Sequence, residues 1–335
     1  MAKFGASARI GGVVAAAALV LAGCGGVETS AGADGDGGGY PSGAVEMYVG
    51  ASAGGSSDLI SRAVSKGLSD DLGASFPVIN RDGANGALAA AEVASAGPDG
   101  STIAIQNASL FAITPLAVSA DEVTDINDFE VLYGVSRDDY VLVTNAESEY
   151  QSLDDLENAS SPIRYGTTGV GTGSQLSQAL LFSEFGVNAT DVPFDGGAPA
   201  LTALLGDQVD VAALQIGEAI ENIQSGKLTP LTVFGPERVE YLPDVPTAQE
   251  QGMDVTVAQY RFMTVPKGTP DEVSNTLIEG MKATFKTKAY QDFNKQNSLT
   301  PMEIPGDEVL AQLEQDRKRY AALIDEYGID LGDAS

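Results

Sequence analysis

Two turns, Ala51 to Asp58 (ASAGGSSD) and Gly166 to Ser174 (GTTGVGTGS), bring glycines and hydroxyl side chains to a point where an extended run gives way to a helical pattern. Residues of these types, so spaced, suit the holding of a small anion. Glycine lets the backbone approach a ligand closely, Ser and Thr add hydroxyl donors, and the free N–H groups of a first helical turn point at whatever lies there. Each such helix end contributes about 0.3 to 1 kcal/mol toward an anion, and up to ~2 kcal/mol when partly buried. A third turn, Asp195-Gly196-Gly197-Ala198, has the same design, and two facing ends would make a carboxylate clamp. Each turn alone is a weak signal, because a glycine-rich turn is as often purely structural. Asp58 by itself reads more readily as a helix N-terminal charge than as a ligand contact. If Asp58 is ionised and faces a cleft, it repels a plain polycarboxylate and favours a ligand bringing an ammonium or hydroxyl donor. Arg261 stands within an otherwise apolar run, Val255 to Val265 (VTVAQYRFMTV). A guanidinium there either grips a carboxylate through two parallel hydrogen bonds or pairs with a structural acid.

Other chemistry is excluded by what the chain lacks. It has no histidine among its 335 residues. Ser-His-Asp and Cys-His catalysis, His-ligated zinc and imidazole proton shuttling are therefore ruled out. Gly169-Val170-Gly171 matches part of a dinucleotide fingerprint, but its third glycine would fall at Ser174, and no G-K-S/T phosphate loop occurs. A carboxylate-metal hydrolase built on Asp58, Asp195 or Asp210 would need an all-oxygen site, and no D-x-D-x-D-G loop is present. We expect a binding protein with no cofactor and no metal, not an enzyme.

The elements that must position these turns alternate. Val45 to Gly50, Phe76 to Asn80, Ser101 to Gln106, Phe129 to Tyr133 and Tyr140 to Thr144 read as strands. Between them, Ser57 to Leu72 and Gly86 to Ser95 read as helices. The rhythm repeats with strands near Arg164 to Gly166, Asp191 to Phe194, Val209 to Leu214 and Leu231 to Phe234, and with helices Thr172 to Phe185, Ala198 to Leu205 and Glu218 to Ser225. Such alternation predicts an α/β fold with parallel sheets covered by helices on both faces. A long extended segment near each transition predicts two lobes joined by crossing strands, lobe 1 from residues 44–140 and 262–335 and lobe 2 from 141–261. Helical stretches Asp271 to Thr284, Ala289 to Gln296 and Asp307 to Glu326 should return to lobe 1.

At the start of the chain, Lys3 and Arg9 precede an apolar run, Gly11 to Leu21, that ends in Leu21-Ala22-Gly23-Cys24. This is the pattern of an export signal with a lipoprotein cleavage site, and a run of 11 residues is too short for the roughly 20 a spanning helix needs. Residues 1–23 are read as a signal peptide and Cys24, the only cysteine, as the lipid attachment site. Residues 24–43, rich in glycine, are read as a flexible tether. Loss of Lys3 and Arg9 takes the formal charge from −29 to −31. Such an acidic surface argues against nucleic acid, yet leaves room for a small anionic ligand, because bulk charge is screened over about 8 Å.

Several segments in one order resemble the substrate-binding proteins of tripartite tricarboxylate transporters, the TctC or Bug family. In the first half they are Ala53 to Asp58, Asn80 to Gly86 (NRDGANG) and Pro98 to Thr102 (PDGST). In the second they are Tyr165 to Leu176, Val192 to Val211, Gly226-Lys227-Leu228, Leu242 to Gly252 and Val265 to Pro270. The resemblance implies a two-lobed, periplasmic-binding-protein-like (type II) fold, each lobe a mainly parallel sheet flanked by helices. It further implies a monomer outside the cytoplasm that is anchored to the membrane by its lipid. That monomer would bind a small organic mono-, di- or tricarboxylate and deliver it to a two-subunit permease. Carried over by residue, the ligand contacts are Ala53, Gly54, Gly55, Ser56, Ser57, Asp58, Asn107 and Ala108 in the first lobe. In the second they are Thr167, Thr168, Gly169, Gly171, Thr172, Asp195, Gly196 and Gly197. Gln175 stands where a histidine is usual, Gly50-Ala51 where Pro-Phe is frequent, and Gln259-Tyr260-Arg261 where an aromatic-Gly pattern is commoner. Presentation of ligand to a membrane receptor rather than a permease would use the same closed form.

Overall fold

The computed structural model describes residues 39–332. The leader, Cys24 and most of the proposed tether lie outside the described residues. The first half builds β1 (Glu46–Val49), α1 (Ser56–Leu72), β2 (Val78–Asn80), α2 (Ala87–Ala94), β3 (Thr102–Asn107), α3 (Ala108–Ala112) and β4 (Phe129–Arg137). After the two residues Asp138 and Asp139 come β5 (Tyr140–Asn145), α4 (Leu153–Glu157), β6 (Ile163–Thr167), α5 (Gly173–Phe185) and β7 (Ala189–Pro193). There follow α6 (Gly197–Leu205), β8 (Val211–Gln215), α7 (Ile216–Gln224) and β9 (Leu228–Val233). The chain then returns through β10 (Tyr260–Pro266) and closes with α8 (Asp271–Lys286), α9 (Lys288–Gln296), β11 (Thr300–Pro301) and α10 (Gly306–Tyr327).

These strands form two sheets, ordered β11-β4-β10-β3-β1-β2 and β7-β6-β8-β5-β9. Within each, the three strands that alternate with helices are parallel: β1 with β2 and β3, and β6 with β7 and β8. The fourth neighbour runs the other way. β10 is antiparallel to β3 and β4, and β5 is antiparallel to β8 and β9, so both sheets are mixed rather than parallel throughout. The reason is connectivity. A strand crossing from the other sheet begins at the edge where the parallel strands end, and so runs against them. That geometry places the starts of β5 and β10 at the carboxyl edges of their sheets: Arg261 pairs with Asn107, the last residue of β3, and Tyr140 with Gln215, the last of β8. Tyr140 heads a strand of the second sheet, and Tyr260-Arg261 head one of the first.

Burial follows the same logic. β5, β8 and β10 sit inside their sheets, and their side chains, covered on both faces, are almost all buried, as apolar runs without alternation require. The segment before β10, expected as strand from Val255, is not: Val255 and Val257 are buried, but the N–H of Val257 donates to Phe234 O as the chain threads back toward the first sheet.

α8 packs its Leu277 and Met281 face on Ile60, Val64 and Leu68 of α1, with both sets in one buried cluster. Gly67 makes the close approach possible, since a Cβ there would overlap Thr284. α10 turns Val309, Leu313, Tyr320 and Leu323 inward against β4, α3 and α5, so it reaches both halves of the fold. Tyr40, inside the stretch read as tether, is instead docked. Its hydroxyl donates to Gly100 O at 2.8 Å, and its ring packs with the α1/α8 cluster.

Candidate functional site

The turn between β1 and α1 is organised by Asp58, which is buried at 1 % exposure. Its carboxylate accepts from Gly54 N at 2.8 Å, Asn80 Nδ2 at 2.9 Å, Arg62 Nε at 3.0 Å and Arg62 Nη2 at 2.8 Å. Burial alone would raise its pKa, but these donors outweigh that and hold the carboxyl below its ordinary range. Asp58 therefore folds the loop and offers no free oxygen to a ligand. Ala53 and Gly54 are exposed at the tip, and the Gly54 amide is already used by Asp58. Gly55, the residue before the first helical turn, supplies no side-chain cap, so the start of α1 keeps its amide donors.

Ser56 and Ser57 link that start to the crossing strands. Ser56 Oγ donates to Asp138 Oδ2 at 2.7 Å. Ser57 Oγ donates to Asn107 Oδ1 at 3.1 Å and accepts from Arg261 Nε at 2.7 Å. Arg261 Nη1 lies 3.3 Å from Asp138 Oδ2, in an ion pair with both side chains at 2 % exposure or less. Of the two roles open to Arg261, pairing with a structural acid is the one made by its own neighbours. Burial pushes the Asp138 carboxyl up, and Arg261 works against that. The other oxygen of Asp138, Oδ1, is buried without a hydrogen-bond partner among the described residues. Gln259, also at this crossing, accepts the Asp138 amide on its carbonyl, and its side-chain amide donates to Ser109 Oγ at 3.0 Å and Tyr140 Oη at 3.4 Å. Ala108 is buried at the start of the five-residue α3.

The turn before α5 uses most of its donors internally. Thr172 Oγ1 caps the helix by accepting from Gln175 N, and it donates to Gly169 O. Thr168 N donates to Ser174 Oγ, and Gly169 N to Thr167 Oγ1. Gly171 N donates to Gln175 Oε1 at 2.9 Å. Gln175 is itself buried and donates to Asp191 Oδ2 and Leu331 O, so it braces the loop from behind. The Gly171 carbonyl receives Asn85 Nδ2 and Thr114 Oγ1, each at 3.2 Å, from the first half of the chain. This turn is a contact between the halves rather than a set of free donors.

The start of α6 is different. Gly196, at φ 100, supplies no side-chain cap, and Asp195 is exposed. Gly197 is required for space, because a Cβ there would overlap the carboxylate of Glu218. Glu218 is the third residue of α7, and its carboxylate accepts from the backbone N–H of Gln215, the reciprocal half of a capping box. Its Oε2 is enclosed and has no hydrogen-bond partner among the described residues. Burial pushes its pKa up to about 7; the nearby charge of Asp138 adds to this, and Arg261 and the Gln215 bond oppose it. A group whose folded pKa is raised stabilises most below its unfolded value and loses that contribution as pH rises through the folded one. The unliganded protein is thus expected to lose stability between pH 4.5 and about 7, and Glu218→Gln to flatten that decline. Urea denaturation at half-unit pH steps measures it; identical slopes would show that Glu218 is not protonated in this range.

Two residues that the sequence reading passed over, Asp138 and Glu218, thus stand among those it chose, as does Gln259, noted there only as a departure from the family pattern. The signal for Asp138 was present: Arg137-Asp138-Asp139 is a charged triplet between two apolar strands. Glu218 carried only the pattern of a helix start.

Residues 60–329 match the family model described as the tripartite tricarboxylate transporter family receptor. A protein from the TAR-I ttuE-ttuC' intergenic region of Agrobacterium vitis is 32% identical over 253 residues, which is 74% of this chain and 72% of that one. Among solved structures, the periplasmic binding protein BugD aligns with a TM-score of 0.79 at 27% identity, over 88% of this chain and 100% of its own. MatC from Rhodopseudomonas palustris with bound malate aligns with a TM-score of 0.76 at 25% identity, over 85% of this chain and 100% of its own. These neighbours are solute-binding proteins rather than enzymes, and their fold is the two-lobed α/β arrangement of the two mixed sheets. With most of its length matched in sequence and in structure, the chain belongs to the tripartite tricarboxylate transporter receptor family, TctC.

Proposed function

We propose that the protein is the extracytoplasmic substrate-binding component of a tripartite tricarboxylate-type transporter. It takes a small organic carboxylate between its two lobes and delivers it to a membrane permease. Family membership supports a solute-binding receptor, and the malate bound by MatC supports a carboxylate as the solute. One observation in this chain carries the reading furthest. The start of α1, on the first sheet, is tied to the crossing strands by the Ser56 Oγ bond to Asp138, and the start of α6, on the second, packs its Gly197 against Glu218, whose carboxyl responds to the charge of Asp138. Two helix ends on separate lobes stabilise the closed form when an anion bridges them, and closure is then the signal for the permease.

Attachment to the membrane through Cys24 belongs to the same proposal and rests on the leader pattern alone. Residues of the turn before α5 would act by holding the lobes together rather than by touching ligand.

A thermal-shift screen of mono-, di- and tricarboxylates tests the binding step. A ligand at 100 times its dissociation constant adds about 2.7 kcal/mol of stability. At least one acid should raise the melting temperature, and X-ray scattering with that acid should show a smaller radius of gyration. If no carboxylate shifts the transition, the reading is wrong.

A further inference from the structure

A groove of about 680 Å³ runs between α1, the end of α8 and α9, and none of the three turns contributes a residue to its lining. Leu59, Ala63 and Gly67 of α1, Ala283 of α8, and Ala289 and Phe293 of α9 give it small or apolar walls. A volume of this size, lined in this way, is that of a small-molecule site. The α1 residues that face it recur at three- and four-residue steps from Leu59 to Asp71, a stripe about 18 Å long. Leu59 is left 39 % exposed there, whereas Ile60, Val64 and Leu68 on the core side of the same helix are fully buried. The stripe is thus a second face of α1, open and largely apolar among the described residues.

Its charge is unlike that of the rest of the chain. Gly280 lies against Leu68 and Leu72, and Gly67 against Thr284, so α8 runs opposite to α1 and Thr287 falls toward Arg62. Exposed Lys286 and Lys288 flank Thr287 and join Arg62 and Lys66 at that end, while Asp70 and Asp71 stand at the other. Lys66 and Lys288 pair with Asp70 and Asp292 one turn along their own helices, in exposed bridges weak enough to give way to another anion. Residues 282–295 as a whole carry four lysines against one acid, in a chain of formal charge −29. An anion repelled by most of this surface is drawn here. We infer that the groove is a second binding site, for a free amphiphilic anion: a medium-chain alkyl carboxylate whose chain lies along the α1 stripe and whose head meets the cations at the Arg62 end.

Calorimetric titration of the protein with hexanoate, octanoate and decanoate, with decyltrimethylammonium, and with phosphatidylglycerol vesicles tests the inference. Affinity should rise about 4-fold for each added methylene, the effect of burying it in an apolar site. Decanoate should bind about 5-fold or more tighter than decyltrimethylammonium at low salt, a difference that narrows as salt screens the lysines. Ala63→Phe fills the middle of the groove and should weaken decanoate about 10-fold or more by displacing several methylenes, while any acid taken in the cleft binds as before. Lys66→Gln combined with Lys288→Gln, both at exposed positions, should cost decanoate about 2- to 5-fold. Arg62 is left in place because it holds Asp58. Affinities that ignore chain length or head charge overturn the inference, as does a folded Ala63→Phe variant that binds decanoate as the wild type does. If Ala63→Phe does not fold, an unchanged decanoate affinity in the lysine variant overturns it alone. Binding to vesicles without binding of the free acids makes the groove a membrane contact and overturns it too. None of these outcomes bears on the cleft, so the carboxylate reading stands or falls separately.

Discussion

Arg261→Met is expected to lower the free energy of unfolding by about 3 to 5 kcal/mol, the loss typical of removing one partner from a buried ion pair. Arg261 and Asp138 are both almost wholly enclosed, at 2 % and 0 % side-chain exposure, so neither can turn to water when the other is lost. Methionine keeps most of the apolar stem of arginine and removes the guanidinium, so the loss combines the stranded charge and its broken hydrogen bonds with the space the guanidinium filled. It leaves Asp138 with Ser56 as its remaining side-chain donor and releases Ser57 Oγ from the guanidinium. The deficit should shrink as pH falls, because burial already pushes the Asp138 carboxyl up and protonation removes the stranded charge. Adding Asp138→Leu to Arg261→Met should recover much of the loss, since an apolar pair of similar volume is often as stable as the ions it replaces. Urea denaturation followed by circular dichroism measures all three proteins. A loss below about 1 kcal/mol in the single variant would place Arg261 outside any structural pair and return it to the ligand.

Asp58→Asn should cost about 3 kcal/mol, through a different mechanism. The carboxylate is the common acceptor for Gly54 N, Asn80 Nδ2 and the Arg62 guanidinium. An asparagine keeps one acceptor oxygen and turns a donor toward at least one of those donors, leaving buried polar groups unpaired. The Asp58 carboxyl is held below its ordinary value of 3.8, so its stabilisation is present above that value and is lost as pH falls through the lower folded one. The difference between wild type and variant should accordingly close in strong acid. Because no oxygen of Asp58 is left over for ligand, an amino dicarboxylate and its deaminated analogue should change affinity by the same factor in the variant. Opposite shifts for the two would restore Asp58 to recognition.

The contrast between these acids marks the limit of reading the chain as a string. Asp58 looks like the ligand-facing acid because it ends a Gly-Gly-Ser-Ser turn, but the side chains that occupy its oxygens, Arg62 and Asn80, differ in how far they lie along the chain. Arg62 is one helical turn away, at i+4. Asn80 reaches Asp58 only because β2 pairs beside β1. Similarly, Gln175 at the start of α5 has the spacing of a ligand contact, and it is turned inward by Asp191 and Leu331, the latter 156 residues away.

What the sequence determined by itself is local: the alternation of strands and helices, helix starts within a residue of Ser56, Gly173 and Gly197, and the exclusion of histidine chemistry. These follow from periodicity, capping and composition, which act over one or two turns of chain. Tertiary structure alone decided which helix starts stay open. Whether an amide or a carboxylate is free depends on partners brought together by two crossing strands, as when Asp138 meets Arg261 over a separation of 123 residues. Desolvation then makes those meetings matter, because a charge that water would screen on the surface becomes, once enclosed, a demand for a partner.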